Sequence, residues 1–227
     1  MIELNDITFA YDSGGFTLKA EALSIAQGEK IAVVGHSGSG KTTLLHLIAG
    51  ILVPTGGKVQ VDGQAVSSIS DQARRRIRLT RMGLVFQGIE LIDYLSAIEN
   101  VLLPYRINQG LTLDARAKQR AKQLLERVGL SEQSGRAVSG LSQGERQRVG
   151  ICRALVAQPS VILADEPTSS LDDESAASAL DLLLELVEES DATLVILTHD
   201  KTLLQRFDRV VTVDRGEVSE KASGVVS

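Results

Sequence analysis

The stretch Gly35-His-Ser-Gly-Ser-Gly-Lys-Thr42 constrains this chain more than any other. It fits the spacing G-x-x-x-x-G-K-[ST]. It also lies between a short apolar run, Lys30 to Val34, and a segment from Lys41 to Gly50 that reads as a helix. Glycines let the backbone wrap closely enough for successive N–H groups to point at one phosphate. The start of a helix adds a partial positive charge. Lys41 is suited to the β/γ-phosphates and the Thr42 hydroxyl to Mg²⁺. A strand–turn–helix of this kind demands an α/β fold. The residues of the expected cradle are Gly35, His36, Ser37, Gly38, Ser39, Gly40, Lys41, Thr42 and Thr43, with His36 at a free position of the motif.

The remainder of the 227 residues agrees with one folded unit rather than a tail or a fibre. Hydrophobic residues make up 43% and charged residues 23%, ordinary globular values that argue against disorder. The formal net charge of −5, the 3% aromatic content and the absence of Trp argue against a nucleic-acid partner. A single Cys excludes an internal disulfide and a Cys-rich zinc site. The first residues, Met1 to Thr8, lack the basic and apolar regions of a secretory signal, so none is expected. The most apolar stretch, Leu44 to Val53, contains His46 and is far shorter than the ~20 residues a membrane helix needs. Any membrane role must then come through a partner.

Periodicity gives the coarse order. Residues 2–9, with Ile2, Leu4, Ile7 and Phe9, and residues 17–25 read as strands joined by the turn Tyr11-Asp-Ser-Gly-Gly15. Val59 to Gly63 reads as a strand closing in a turn, and Gly83 to Phe86 as another strand. From Ile89 to Gln158 the pattern is helical, with Ala117, Ala121, Leu124, Leu125 and Val128 on one face. Val161 to Ala164 and Thr193 to Leu197 are apolar throughout, as strands covered on both faces are. A crossover helix around Ala176, Leu180, Leu183, Leu184 and Val187 lies between them. Val210 to Val213 and Glu217 to Ser219 form a last hairpin.

Val161-Ile-Leu-Ala-Asp165-Glu166 is a buried strand that ends in two acids. A charge there is costly unless it meets a cation. Asp165 is placed to serve Mg²⁺, and Glu166, one residue on, to polarise a water.

The order of further motifs resembles one family. Leu141-Ser-Gln-Gly-Glu-Arg-Gln-Arg148 looks like the signature motif of ATP-binding cassette (ABC) ATPases. Gln87, in Leu84-Val-Phe-Gln87, is similar to their Q-loop. Ser169-Ser-Leu-Asp172 resembles the D-loop and His199 the switch histidine. Tyr11 sits where the family carries an aromatic that stacks on adenine. Taken singly, each has a plainer reading: Gln87 as a surface glutamine, His199 as a core or capping histidine, Tyr11 as a strand-end aromatic, Ser142 as an N-cap completed by Glu145. The last is compatible with function, since a capped helix start is an anion site.

The resemblance implies a P-loop NTPase (RecA-like) α/β core with an N-terminal antiparallel β portion and an inserted α-helical subdomain. One nucleotide-binding domain would span 1–227, with the core near 1–88 and 159–227 and the helical part near 89–158. It implies an ATPase that needs ATP and Mg²⁺. Glu166 would be the general base and His199 a contact to the γ-phosphate. Thr42, Gln87 and Asp165 would serve the metal. Two chains would sandwich two ATP molecules, with Ser142 and Gly144 of one chain facing the phosphate loop of the other.

Glu99-Asn-Val-Leu-Leu-Pro104 and Leu163-Ala-Asp-Glu-Pro-Thr168 resemble the branch of lipoprotein-releasing, macrolide-exporting and cell-division cassettes that pair with FtsX-like permeases. That implies a peripheral protein on the cytoplasmic face of the inner membrane, in a homodimer held to a permease. The chain departs from the branch in three places. Gln143 replaces a signature glycine, Ser169-Ser170 opens the D-loop, and Asp93-Tyr94 replaces a Leu-Pro pair. An importer subunit, or a soluble ABC ATPase of translation or DNA repair, is the alternative. The acidic charge and single cassette weigh against the soluble form, and Glu166 and His199 weigh against a non-hydrolytic module. The arginines Arg74, Arg75, Arg76, Arg78 and Arg81 read as a solvated helix face or a surface for acidic partners. Cys152 reads as a small core residue.

Overall fold

Hydrophobic alternation in the first strand, β1 (Ile2–Ala10), changes phase midway, and the computed structural model shows the cause. Asp6 takes φ +52°, and the register against the strand Gly56–Val61 shifts between Asn5 and Thr8. This bulge turns Ile7 and Phe9 to the same buried side as Ile2 and Leu4. The structure describes residues 1–12, 14–88, 90–108 and 110–221. Ser13, in the predicted turn, and Ile89, at the start of the predicted helical region, lie outside them.

After β1 come β2 (Thr17–Ile25), β3 (Lys30–Val34), helix α1 (Lys41–Ile48), β4 (Gly56–Val61), α2 (Asp71–Arg81) and β5 (Met82–Val85). Four helices follow: α3 (Ala97–Val101), α4 (Leu103–Ile107), α5 (Ala115–Arg127) and α6 (Gln143–Leu155). Then come β6 (Val161–Asp165), α7 (Asp173–Glu189), β7 (Thr193–Leu197), β8 (Arg209–Asp214) and β9 (Glu217–Lys221). The chain forms two compact units, 1–78 with 191–227 and 79–190.

In the first unit the strands are ordered β4-β1-β2-β9-β8-β3-β7. The β1–β2, β1–β4 and β8–β9 pairs are antiparallel, whereas β3 runs parallel to both β7 and β8. Ile31, Ala32 and Val33 of β3 and Leu194, Val195 and Leu197 of β7 are fully buried, which explains their unbroken apolar sequences. α1 is shorter than its sequence suggested. It stops at Ile48, and Gly50, at φ +63°, reverses the chain so that the Ile51 N–H reaches the His46 carbonyl at 2.9 Å.

In the second unit β5 and β6 are parallel and form the strand pair that helices 97–189 accompany. α5 buries Ala117, Ala121 and Leu125, the stripe its periodicity predicts, and α7 buries Leu180, Leu183, Leu184 and Val187. Both helix starts have a side-chain cap, unlike α4, whose N-cap is Leu102. Asp114 accepts from the Ala117 N–H at 2.8 Å and Asp172 from the Ser175 N–H at 2.9 Å. Ser96 and Glu99 form a capping box at α3.

The arginine-rich helix α2 is not a wholly solvated face. Arg78 donates to the carbonyls of Ala49 and Gly50 at 3.1 and 3.2 Å, just past the C-terminus of α1. Arg74 donates to the Ile69 carbonyl at 2.6 Å and is only 14% exposed. A cation over the last carbonyls of α1 offsets the negative end of that helix.

Candidate functional site

In the first unit β3 delivers the chain into the loop 35–40, and α1 receives it. Gly35 is required by packing: a Cβ there would collide with the Val213 carbonyl of β8. Gly40 is required by conformation. Its φ is +111°, and a Cβ would come 2.6 Å from Cζ of Phe16. The N-cap of α1 is this glycine, with no side chain capping the first turn, so the helix start offers its own N–H groups to a ligand. Lys41 is buried, and its Nζ donates to the carbonyls of Gly35 at 2.9 Å and His36 at 3.2 Å, curling the loop around the ammonium. The Ser39 N–H donates to the His36 carbonyl at 3.1 Å, and the Ser39 carbonyl accepts from the Gly216 N–H at 2.9 Å. The Ser39 hydroxyl is buried with no hydrogen-bond partner, a polar atom left for a ligand to satisfy. His36, Ser37 and Gly38 form the exposed tip. Thr42 is exposed in the first turn of α1, while Thr43 is buried and shares a 3.0 Å hydrogen bond with the Tyr11 hydroxyl.

Tyr11 is 41% exposed and stands edge-on to Phe9, with ring centroids 4.9 Å apart. The Phe16 ring centroid is 6.2 Å from that of Tyr11, with the two rings tilted by 44°. Sequence reasoning found Tyr11 but missed Phe16, whose ring leans over Gly40. The available signal was its closeness to Tyr11 in a chain with so few aromatic residues. His199 is exposed two residues beyond Leu197, the register partner of Val33. The intervening Thr198 donates its N–H to the Val33 carbonyl at 3.1 Å. The phosphate loop and His199 therefore leave the same strand ends, where open α/β sheets bind ligands. The adjacent Asp200 carboxylate is held below its ordinary range by the Thr202 hydroxyl and N–H, and His199 contributes to that shift.

The second unit carries the acids. β6 ends in Asp165, and Glu166 adopts φ +43°, a left-handed conformation uncommon outside glycine, which re-aims its side chain away from the strand's alternation. Ser169 braces this turn, donating from its N–H and hydroxyl to the Glu166 carbonyl at 3.2 and 3.0 Å. The parallel register that pairs Val85 with Ala164 carries Gln87 and Glu166 off neighbouring strand ends. Gln87 is exposed there.

Ser142 caps α6. Its hydroxyl accepts from the Glu145 N–H at 3.3 Å, and the Glu145 carboxylate accepts from the Ser142 N–H at 2.8 Å. These bonds hold the Glu145 carboxyl below its usual range. Gln143, the departure from the family pattern, is exposed at the first helical position. A Cβ on Gly144 would meet nothing nearer than 3.9 Å, at Arg148 Nη1 and Ser175 Oγ. The chain's own packing does not require glycine at 144. Cys152 is fully buried on the same helix, and burial pushes its thiol up to about 12.

The structure thus gathers the loop 35–43, Tyr11 and His199 in one unit, and Asp165, Glu166, Gln87, Ser142 and Gly144 in the other. Among the described residues no helix is long and apolar enough to cross a membrane.

A family model described as ABC transporter matches residues 18–169. The lipoprotein-releasing system ATP-binding protein LolD of Xanthomonas oryzae pv. oryzae is 44% identical over 204 residues, covering 90% of this chain and 83% of that protein. LolD of Hydrogenovibrio crunogenus is 45% identical over 199 residues, covering 88% and 86%. A solved dimer of the ATP-binding cassette MJ0796, in a post-hydrolysis state bound to ADP and Pi, matches with a TM-score of 0.86 at 35% identity, covering 99% of this chain and 100% of that one. The cbiO1 structure from Clostridium perfringens, part of the ABC transporter complex cbiONQ, matches with a TM-score of 0.85 at 28% identity, covering 96% and 86%. The α/β core, the phosphate loop and these matches agree, and the chain belongs to the ABC transporter family, as an ATP-binding subunit that couples ATP hydrolysis to transport.

Proposed function

We propose that this chain works as a homodimer around two ATP molecules, on the cytoplasmic face of the inner membrane, and drives an FtsX-like permease that releases lipoproteins or a related envelope cargo. The observation that carries the reading is the buried Lys41 ammonium, held by the Gly35 and His36 carbonyls at the uncapped start of α1. That arrangement supplies a full charge and inward N–H groups at one spot, as a triphosphate requires. The similarity to LolD supports the choice of permease and cargo, and the dimeric cassette bound to ADP and Pi supports the dimer.

In this reading the loop 35–43 wraps the phosphates and Lys41 transfers its donors from the two carbonyls to the β/γ-oxygens. Tyr11 stacks on the adenine. Thr42, Gln87 and Asp165 offer only oxygen donors, a set that fits Mg²⁺. The ion, when bound, neutralises charge on the β- and γ-phosphates. Glu166 takes a proton from water, the hydroxyl oxygen bonds to the γ-phosphorus, and the bond to the bridging oxygen breaks to release ADP. His199 holds the γ-phosphate during transfer. Ser142 and the Gly144 N–H reach the γ-phosphate bound by the other chain, so hydrolysis needs two chains.

The test is the order of the reaction and the company the protein keeps. Turnover per chain should rise with protein concentration, and the protein should co-purify with a permease of four membrane helices and a large extracytoplasmic domain. Turnover independent of concentration, or co-purification with ribosomes or DNA, would contradict the reading.

A further inference from the structure

The loop after Gln87 and the segment before the signature helix are laced together in the second unit. The Ser139 and Val138 N–H groups donate to the Asp93 and Leu95 carbonyls at 3.4 and 3.1 Å. In the opposite direction, the Ala97 and Ile98 N–H groups donate to the Arg136 and Ser134 carbonyls at 2.9 and 3.0 Å. Asn100, fully buried, pins the loop further: its side chain accepts from the Ile92 N–H at 2.8 Å and donates to the Ile92 and Ser96 carbonyls at 3.1 Å each. The lace is therefore a fixed platform.

Arg146 ties α6 to that platform. It lies one turn beyond Ser142, to whose carbonyl its own N–H donates at 2.9 Å. Its guanidinium spans both sides of the lace, with Nη2 donating to the Asp93 carboxylate at 2.8 Å and Nη1 to the Val138 carbonyl at 3.3 Å. Asp93 is 66% exposed and Arg146 24% exposed, so the pair adds little to overall stability. What a forked guanidinium adds is orientation. Asp93 is also one of the places where this chain departs from the branch it resembles.

We propose that Arg146 is a positioning residue for ATP-driven dimerisation. Through Asp93 and Val138 it fixes the first turn of α6, and so the Ser142 hydroxyl and Gly144 N–H, for the γ-phosphate held by a second chain. The proposal rests on the two-chain site described above.

The experiment uses the full chain carrying Glu166→Gln, alone and combined with Arg146→Ala, or with the charge swap Asp93→Arg plus Arg146→Asp. Sedimentation reads the monomer–dimer equilibrium in ATP. Equilibrium dialysis at low protein concentration reads ATP binding by the monomer. Arg146→Ala should weaken dimerisation by roughly fivefold, as expected when one exposed pair is lost from each chain of a dimer. Monomer ATP affinity and Tm should stay unchanged, and the swap should recover part of the loss. Unchanged dimerisation overturns the proposal and leaves the two-chain site standing. A parallel fall in dimerisation, ATP affinity and Tm that the swap does not repair makes Arg146 merely structural and also overturns it. If Glu166→Gln alone stays monomeric in ATP, the two-chain site fails and the positioning role fails with it.

Discussion

Lys41 Nζ rests 2.9 Å from the carbonyl oxygen of Gly35, so the two ends of the phosphate loop are tied by the cation that is to serve the phosphates. The loop keeps its shape before nucleotide arrives, and little ordering remains to oppose binding. Lys41→Ala removes both the tie and the charge. ATP affinity should fall at least about tenfold, in line with loss of a charge-assisted hydrogen bond. Equilibrium dialysis with ATP checks this, and unchanged affinity would contradict the role of Lys41.

Gly144→Ala separates folding from function. Its Cβ would have ordinary contacts at 3.9 Å, and alanine is favoured over glycine in a helix by about 1 kcal/mol. Tm should hold or rise. ATP turnover should nonetheless drop, because in the proposed two-chain site the methyl group occupies the face offered to the other chain's γ-phosphate. Calorimetry and a phosphate-release assay on the same sample check the pair of outcomes.

Gly35→Ala should behave differently. Its Cβ meets the Val213 backbone, which cannot move as a flexible side-chain tip can. Loss of both thermal stability and ATP binding is expected from the same two measurements.

Glu145 gives the protein an acid-sensitive helix cap. Its carboxyl is held below the usual range by Ser142, so the folded pKa is the lower one. A depressed carboxylate stabilises the fold above the unfolded value of about 4.3. That contribution is lost as pH falls through the folded value. Glu145→Gln should flatten the stability profile in this window, measured by denaturant unfolding from pH 5 downward.

Much of this was legible because the informative residues act locally. The phosphate loop is read from eight consecutive positions, and the Ser142–Glu145 capping box from its spacing alone. The buried strands β6 and β7 announce themselves by unbroken apolar runs. What escaped was set by distant partners. The bulge at Asp6 depends on how β1 pairs with β4, and the sequence shows only a change of phase. Arg78 looked like one more solvated arginine, because nothing near it in sequence reveals the Ala49 and Gly50 carbonyls it caps. The Asp93–Arg146 pair is likewise invisible until the chain folds. Phe16 gained meaning only once its ring was found against Gly40.

In the proposed assembly one chain supplies the phosphate loop and another the Ser142–Gly144 helix start around each ATP. Glu166→Gln keeps the shape of that site while removing the base. Analytical ultracentrifugation of this variant with and without ATP reads that division of labour between chains. A monomer without nucleotide and a stable dimer with ATP are expected, and a monomer under both conditions would rule out the two-chain site.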